Sequence, residues 1–560
     1  MAKKKRNSDT GFLMQGSILA VASIISRIVG LLYRVPLTAT IGKTGNDYYG
    51  TAYEIYNILL LISSYSIPLA VSKLVSARMA KGRAKDVSKV LFGSLAFAIV
   101  SGGAASLIVF FGADFFTSTL LKTPLSAIAL KVLAPTLLVV AVLGVFRGFF
   151  QGLGTMIPSA ISQIGEQIVN AIVSVVAASI LFSYGAKVGG VLGNEDNYAA
   201  AYGAAGGTLG TSMGALFALL FILFIFFAYN KVLKKIKRKD RSRYTESYKD
   251  IMAVLIMTII PVLLSTTVYN MSSIIDQGIF KNIAVAQGYT SKQISEWWGV
   301  FAGQYKVLIN VPISIASAMA ASTVPSLTAA FNSQDKNLVK NQINSANRFV
   351  MVIAFPCAVG MMVLAGPLMQ LLFNDSDSAS ATMLMVGGIS IVFYSLSTLS
   401  NGILQGIDKL SIPVKNALVA LVLHIILLLI LLEVFDLNIY AVIIANAFYA
   451  LLMCVLNQAA VLRFSNAKYN IKVIFIIPLI SSAIMGLLVY LSHMLFQTIG
   501  AMVFTHRVAN LFSTVLAILV GIVAYFAAMF LFGGIDEETL LKFPGGRKLC
   551  GMAYKLHLLR

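Results

Sequence analysis

The chain has 560 residues, of which 58% are hydrophobic and only 12% charged, and its mean hydropathy is +0.85. Soluble domains carry about 25% charged residues, so the composition excludes an ordinary soluble globular protein and indicates an all-α polytopic membrane protein. A formal net charge of +21 would suggest nucleic acid in a soluble chain; here Lys and Arg sit in short loops and tails, as membrane topology requires, and no nucleic-acid partner is expected.

The apolar runs predict about 14 transmembrane helices, near 11–41, 49–77, 88–113, 128–150, 157–183, 205–229, 251–280, 298–330, 346–374, 380–406, 412–435, 438–462, 472–497 and 507–533. These runs are long and continuous, unlike the roughly 10-residue alternating segments of a membrane barrel. Met1 to Arg6 is basic, but the apolar run behind it is too long for a signal peptide and lacks a clear cleavage site. Basic residues alternate between the two sides. Lys3, Lys4, Lys5 and Arg6 open the chain, Arg78, Lys81, Arg83, Lys85 and Lys89 follow the second span, and Lys231 to Lys249 is the most basic loop. This bias puts both termini in the cytoplasm.

Two motifs recur in the same order about 250 residues later. Gly148-Phe-Phe-Gln151-Gly152 is matched by Gly402-Ile-Leu-Gln405-Gly406, and Ile67-Pro68 by Val311-Pro312. Parallel repeats of six helices each are expected, giving an N-terminal lobe at 1–229, a basic cytoplasmic linker at 230–250, a C-terminal lobe at 251–464, two additional helices at 465–533 and a cytoplasmic tail at 534–560. Helix-breaking Gly30, Pro36 and Pro68 in one half, and Pro261, Pro312 and Pro325 in the other, mark kinked spans of the kind that line transport sites.

Arg27 and Arg34 lie inside the first span, seven residues apart, so they share one helix face at a separation of roughly 10 Å. An arginine near the bilayer centre costs at least ~2.5–3.5 kcal/mol and should face a watery cavity or a partner. Such a face suits an anion. Lys306, near Gln304, Tyr305 and Asn310, is a further cavity cation or a snorkelling residue beneath the aromatic pair Trp297-Trp298. Asp276 is expected at similar depth, paired with a cation or holding a coupling ion. Glu54 and Glu166 serve either function or a polar contact between helices, while Lys73 and Arg147 read as snorkelling residues. Cys357, Cys454 and Cys550, and His424, His493, His506 and His557, show no disulfide or metal spacing. No P-loop, HExxH or GxSxG motif is present. The chain therefore reads as no enzyme and as needing no cofactor, with transport driven by an ion gradient or the membrane potential.

Ser26-Arg27-Ile-Val-Gly30, Gly42-Lys-Thr-Gly45-Asn-Asp47-Tyr-Tyr-Gly50 and Ile67-Pro68-Leu-Ala-Val-Ser72 resemble the polysaccharide-transport branch of the MOP exporter superfamily. They are most similar to the YtgP/SpoVB group, which is related to the MurJ lipid II flippases. The resemblance implies two lobes around a central cavity, a lipid-tail groove on the last two helices, and a bacterial cytoplasmic (plasma) membrane location. It further implies peptidoglycan biosynthesis, cell wall biogenesis and cell shape as the setting: a lipid II flippase moving a polyprenyl-pyrophosphate-linked headgroup to the outer leaflet by alternating access. Arg27 matches a cavity arginine of MurJ-like proteins, Arg34 approximates a second, Asp47 and Asn57 keep the spacing of a polar pair, and Lys306 and Asn310 occupy the region of an Arg and a Glu. The basic pair expected in the second span is replaced by Leu60 and Leu61. Expected partners are the lipid-linked glycan, membrane lipids and cell-wall synthesis or division proteins. The alternatives are a flippase for another lipid-linked polysaccharide, a MATE-type multidrug cation exporter, which would favour acidic cavity residues, and a non-transporting membrane scaffold.

Overall fold

The computed structural model describes residues 2–240, 246–409, 411–465, 469–534 and 551; the centre of the basic linker and nearly all of the expected tail at 534–560 lie outside them. The described residues are helical, with no strand among them. The chain divides into two compact units, Met1–Gly303 and Gln304–Arg560.

The first unit contains α1 (Ala2–Ser63), α2 (Ile67–Ala80), α3 (Ala84–Asp114), α4 (Ser126–Gly152), α5 (Ile157–Leu192), α6 (Glu195–Lys239), α7 (Tyr248–Asn270), α8 (Ser272–Ala286) and α9 (Ser291–Val300). The second contains α10 (Lys306–Asn332), α11 (Lys336–Val363), α12 (Ala365–Phe373), α13 (Ser378–Gly387), α14 (Ser390–Gly406), α15 (Ser411–Glu433), α16 (Asn438–Ser465), α17 (Ile477–Val503) and α18 (His506–Leu531). All the apolar runs predicted to span fall on helix. Among the described residues, ten helices are long and apolar enough to cross a bilayer, or eleven when the bent pair α13–α14 is taken as one span. Large apolar side chains point outward, with Phe111 77% and Phe224 71% exposed, which is stable only against lipid.

The first predicted span and the first part of the second merge into α1, which breaks at Gly42 (φ 69°, ψ −175°), while the rest of the second falls on α2. Glycine adopts this left-handed conformation without a Cβ penalty. The break frees helix carbonyls, and Asn46 takes them up: its Nδ2 donates to the carbonyls of Gly42 at 2.7 Å and Thr38 at 3.2 Å.

The repeated glycine motif has the same mechanical role in each unit. A Cβ at Gly148 or Gly152 of α4 would collide with Pro68, Ser72 and Val75 of α2. Gly402 and Gly406 of α14 approach Ala320, Val324 and Leu327 of α10 in the same way. Small residues four apart let membrane helices touch backbone to backbone. The packing thus sets Ala320 against Gly402 where Pro68 meets Gly148, about two turns beyond the Pro312 suggested by sequence matching.

Candidate functional site

A polar seam runs between α1 and α5. Ser23 Oγ donates to Gln163 Oε1 and Ser26 Oγ to the Gln163 carbonyl, both at 3.4 Å, and Gly30 sits against Gln167 Oε1. Lower on the seam Asn170 Nδ2 donates to Tyr33 Oη at 3.3 Å. Arg27 shares a helix face with Ser23 and Gly30, being four residues after one and three before the other. It is exposed and forms no ion pair among the described residues. Arg34 is half-buried, with its guanidinium 4.4 Å from the Tyr49 ring centroid. Tyr33, Tyr53 and Glu54 also lie within electrostatic range of it. The Tyr49 face holds the guanidinium in place through its attraction to the ring's π-electrons.

Glu166, on α5, is claimed by α4. Arg147 donates to its carboxylate at 2.7 Å and to Ser162 Oγ at 3.0 Å. Arg147 is therefore half of an inter-helix ion pair, not the snorkelling residue its position near a span end suggests. Glu54 accepts from Ser273 Oγ of α8 at 2.6 Å. Asn57 is half-buried three residues further along α1.

The densest polar cluster was only partly legible. Asp47 and Lys281 are fully buried and paired at 2.5 Å. Lys281 also donates to Thr123 Oγ1 at 2.5 Å and to Thr51 Oγ1 at 3.3 Å, and lies 5.9 Å from the Trp298 ring centroid. With its amide oxygen turned toward these donors, Gln277 accepts from Thr51, from Trp298 Nε1 at 3.2 Å and from Lys281 at 3.2 Å. Asp276 is buried beside this cluster in sequence. Trp298 is fully buried and stacks on Phe280, so the expected interfacial belt does not include it. The backbone of α9 and of the helical turn Phe301–Tyr305 after it closes the cluster, because Gly299 and Gly303 meet Lys43 and Asn46 with no room for a Cβ, and Thr38 Oγ1 donates to the Gly303 carbonyl at 3.3 Å. The signal for Lys281 was its place four residues after Gln277 in a largely apolar helix; ending the seventh span at residue 280 hid it.

The basic loop after α2 holds the ends of the linker. Glu246 pairs with Arg78 and Arg83, its N–H donates to Asp86 Oδ1 at 3.0 Å and its carbonyl accepts from Lys89 at 2.8 Å. Asp240 accepts from the Lys85 N–H at 2.8 Å.

In the second unit, Lys306 is half-buried at the start of α10 and Asn310 is exposed one turn on. An apolar groove of about 410 Å3 runs between α11, α12, α17 and α18, with Pro356, Gly360, Val489, Gly521 and Phe526 in its walls. His424 is structural: its ring bonds the Ala445 carbonyl at 2.8 Å. No cluster of three metal-ligating side chains occurs among the described residues.

The family model described as "Polysaccharide biosynthesis protein" matches residues 12–331, more than half of the sequence. The chain belongs to the polysaccharide biosynthesis protein family. A second model, MatE, matches residues 307–430, as expected of a member of the MOP superfamily on its MurJ and SpoVB side. Among relatives in Bacillus subtilis (strain 168), "Lipid II flippase MurJ" is 26% identical over 85% of this chain and 88% of its own length. "Stage V sporulation protein B" is 25% identical over 84% and 89%. Of solved structures, "Lipid II flippase MurJ, inward closed conformation" superposes with a TM-score of 0.65 at 16% identity, covering 92% of this chain and 98% of that one. An inward-facing multidrug resistance MATE family transporter gives 0.59 at 15% identity, covering 79% and 96%. The fold of this family member is the MurJ/MATE-like polytopic helical fold. It is a multi-pass membrane protein of a transporter family and not an enzyme, in keeping with relatives named as a flippase and transporters.

Proposed function

We propose that this protein is a flippase that carries a lipid-linked peptidoglycan precursor, lipid II, from the inner to the outer leaflet of the bacterial cytoplasmic membrane, with both termini cytoplasmic. One observation carries the reading: Arg27 keeps an uncompensated positive charge on a seam whose carboxylate, Glu166, is already neutralised by Arg147. A seam with surplus positive charge suits a pyrophosphate, whose oxygens take the bidentate hydrogen bonds guanidinium offers, and disfavours the organic cations of a MATE-type exporter. Arg34, held against Tyr49, supplies a second cation; in the second unit, Lys306 is assigned the same ligand class. Asp276, Glu54, Asn57 and Asn310 supply polar or coupling contacts, whereas Asp47 is occupied by Lys281. The apolar groove beside α17 and α18 suits the polyprenyl tail. The similarity to the MurJ relative supports the substrate class and a role in cell wall biogenesis, with cell-wall synthesis or division proteins as partners.

Transport draws on the membrane potential or an ion gradient; 100 mV supplies about 2.3 kcal/mol per charge moved across. The deciding experiment is depletion of this protein in cells lacking redundant flippases, complemented with Arg27→Ala. Build-up of lipid II on the cytoplasmic side, unrelieved by an expressed Arg27→Ala variant, is the expected result. Full rescue by that variant removes the role assigned to Arg27. A second reading, flipping of a different lipid-linked polysaccharide, is favoured by the equally extensive match to the sporulation protein; it predicts normal lipid II turnover with loss of another surface polymer.

A further inference from the structure

At one end of the first unit, four segments converge on a polar cavity of about 400 Å3. Lys122 and Lys292 stand in its wall, with Tyr48, Asn197, Tyr198 and Ser295 presenting hydroxyl and amide groups, and no carboxylate among its lining residues. The volume is that of a small-molecule site. Three helices begin at its rim: α4 at Ser126, α6 at Glu195 and α9 at Ser291. A helix N-terminus carries the equivalent of about half a positive charge, although first-turn N–H groups of α4 and α9 already bond Thr123, Pro124, Leu125 and Thr290. The cavity therefore combines two lysines with the positive ends of α4 and α9, while α6 opens on Glu195 and Asp196. The turn at Lys122 holds that residue in the left-handed region (φ 51°), a conformation that costs energy for a residue with a Cβ.

The floor is Thr123. Its hydroxyl donates to the Leu121 carbonyl at 2.8 Å and accepts from the buried Lys281. The cavity thus lies directly against the Asp47–Lys281 cluster. The nearby acids lie outside the lining: Glu195 and Asp196 are exposed in the first turn of α6, and Glu296 pairs with Lys292 at 4.0 Å on the exposed face of α9.

We propose that this cavity is an outer-face binding site for a phosphorylated sugar headgroup. The asymmetry of Lys and Arg along the chain puts these helix ends on the outer side. Lysines and helix N-termini select a phosphate, while tyrosine, serine and asparagine side chains select sugar hydroxyls. The inference deepens the flippase reading and rests on it for the ligand class, since a lipid-linked glycan delivered to the outer leaflet presents this chemistry there.

The test is calorimetric binding to the full-length protein in nanodiscs, in an Arg27→Gln/Arg34→Gln background so that the first-helix arginines contribute nothing. The probes are glucose 1-phosphate, inorganic phosphate and glucose. Glucose 1-phosphate should bind at least about tenfold more tightly than either of the others, and Lys122→Gln/Lys292→Gln should weaken it by about tenfold or more. Both lysines are exposed, so the fold should persist; Lys122→Arg/Lys292→Arg, which keeps the charge, should retain binding. Equal binding of inorganic phosphate makes the site one for the free ion and overturns the proposal. So does absence of binding, or binding that ignores the two lysines. Failure of the flippase reading is separate: it shows as intact transport in Arg27→Ala, whatever glucose 1-phosphate does.

Discussion

Lys281 and Asp47 form an ion pair at 2.5 Å with neither side chain more than 1% exposed, although 234 residues separate them in the chain. Removing two charges from water costs several kcal/mol each, and their attraction offsets this only when the remaining donors and acceptors are satisfied. Here Thr51, Thr123 and Gln277 satisfy Lys281, while Asp47 Oδ2 has no hydrogen-bond partner. The pair ties α8 to the second half of α1.

Lys281→Met leaves Asp47 as an uncompensated buried charge and should lower stability by about 3–5 kcal/mol. Adding Asp47→Asn to it should return a large part of that loss. Thermal unfolding of the purified variants reads both; a single variant as stable as the parent would show that the pair does not hold α8 in place.

Gly299 allows α9, and Gly303 the helical turn after it, to touch α1 at Lys43 and Asn46. Alanine at either position forces the helices apart and should lower the melting temperature, despite alanine's gain of about 1 kcal/mol in helix propensity. Gly190 of α5 has open space around its Cβ position, and Gly190→Ala should be neutral or stabilising. The sign difference within one set of melting curves is the check.

Arg147 neutralises Glu166 beside the seam. Arg147→Gln leaves a free carboxylate facing the approach of an anionic cargo and should slow transport by about tenfold, the effect of roughly 1.4 kcal/mol. Glu166→Gln in the same molecule should restore it. A reconstituted flipping assay distinguishes this from a fold defect, which the second substitution would not repair.

Tyr49 stacks on Tyr53 with ring centroids 5.7 Å apart and holds Arg34. Tyr49→Phe keeps the aromatic face and should retain transport. Tyr49→Leu removes a contact worth about 0.5–2 kcal/mol and should reduce transport with no loss of expression.

The helical membrane fold was legible because apolar runs of spanning length have few other solutions in lipid. Arg27 stood out in the sequence for the same reason: charge in such a run is costly, so its presence is informative. Arg147 misled, and Lys281 passed unremarked, for the opposite reason. Each lies near the end of an apolar run, where solvent is a sufficient partner, and only tertiary packing supplies Glu166 to one and Asp47 to the other. Trp298 misled similarly, since a tryptophan near a span end is as compatible with the interface as with burial against Phe280. The glycine repeat was readable as a motif, but its register in the second unit was set by which α10 residues face α14, a property no local pattern carries.

The clasp on the linker bears on chain continuity. Asp240 is held by the Lys85 backbone, and Glu246 by Arg78, Arg83, Asp86 and Lys89, so both sides of 241–245 are anchored to the same α2–α3 corner. A cut there would leave each severed end docked. A chain nicked at that point should therefore keep α7 associated with the first unit, which co-migration of the two fragments on a native gel would read.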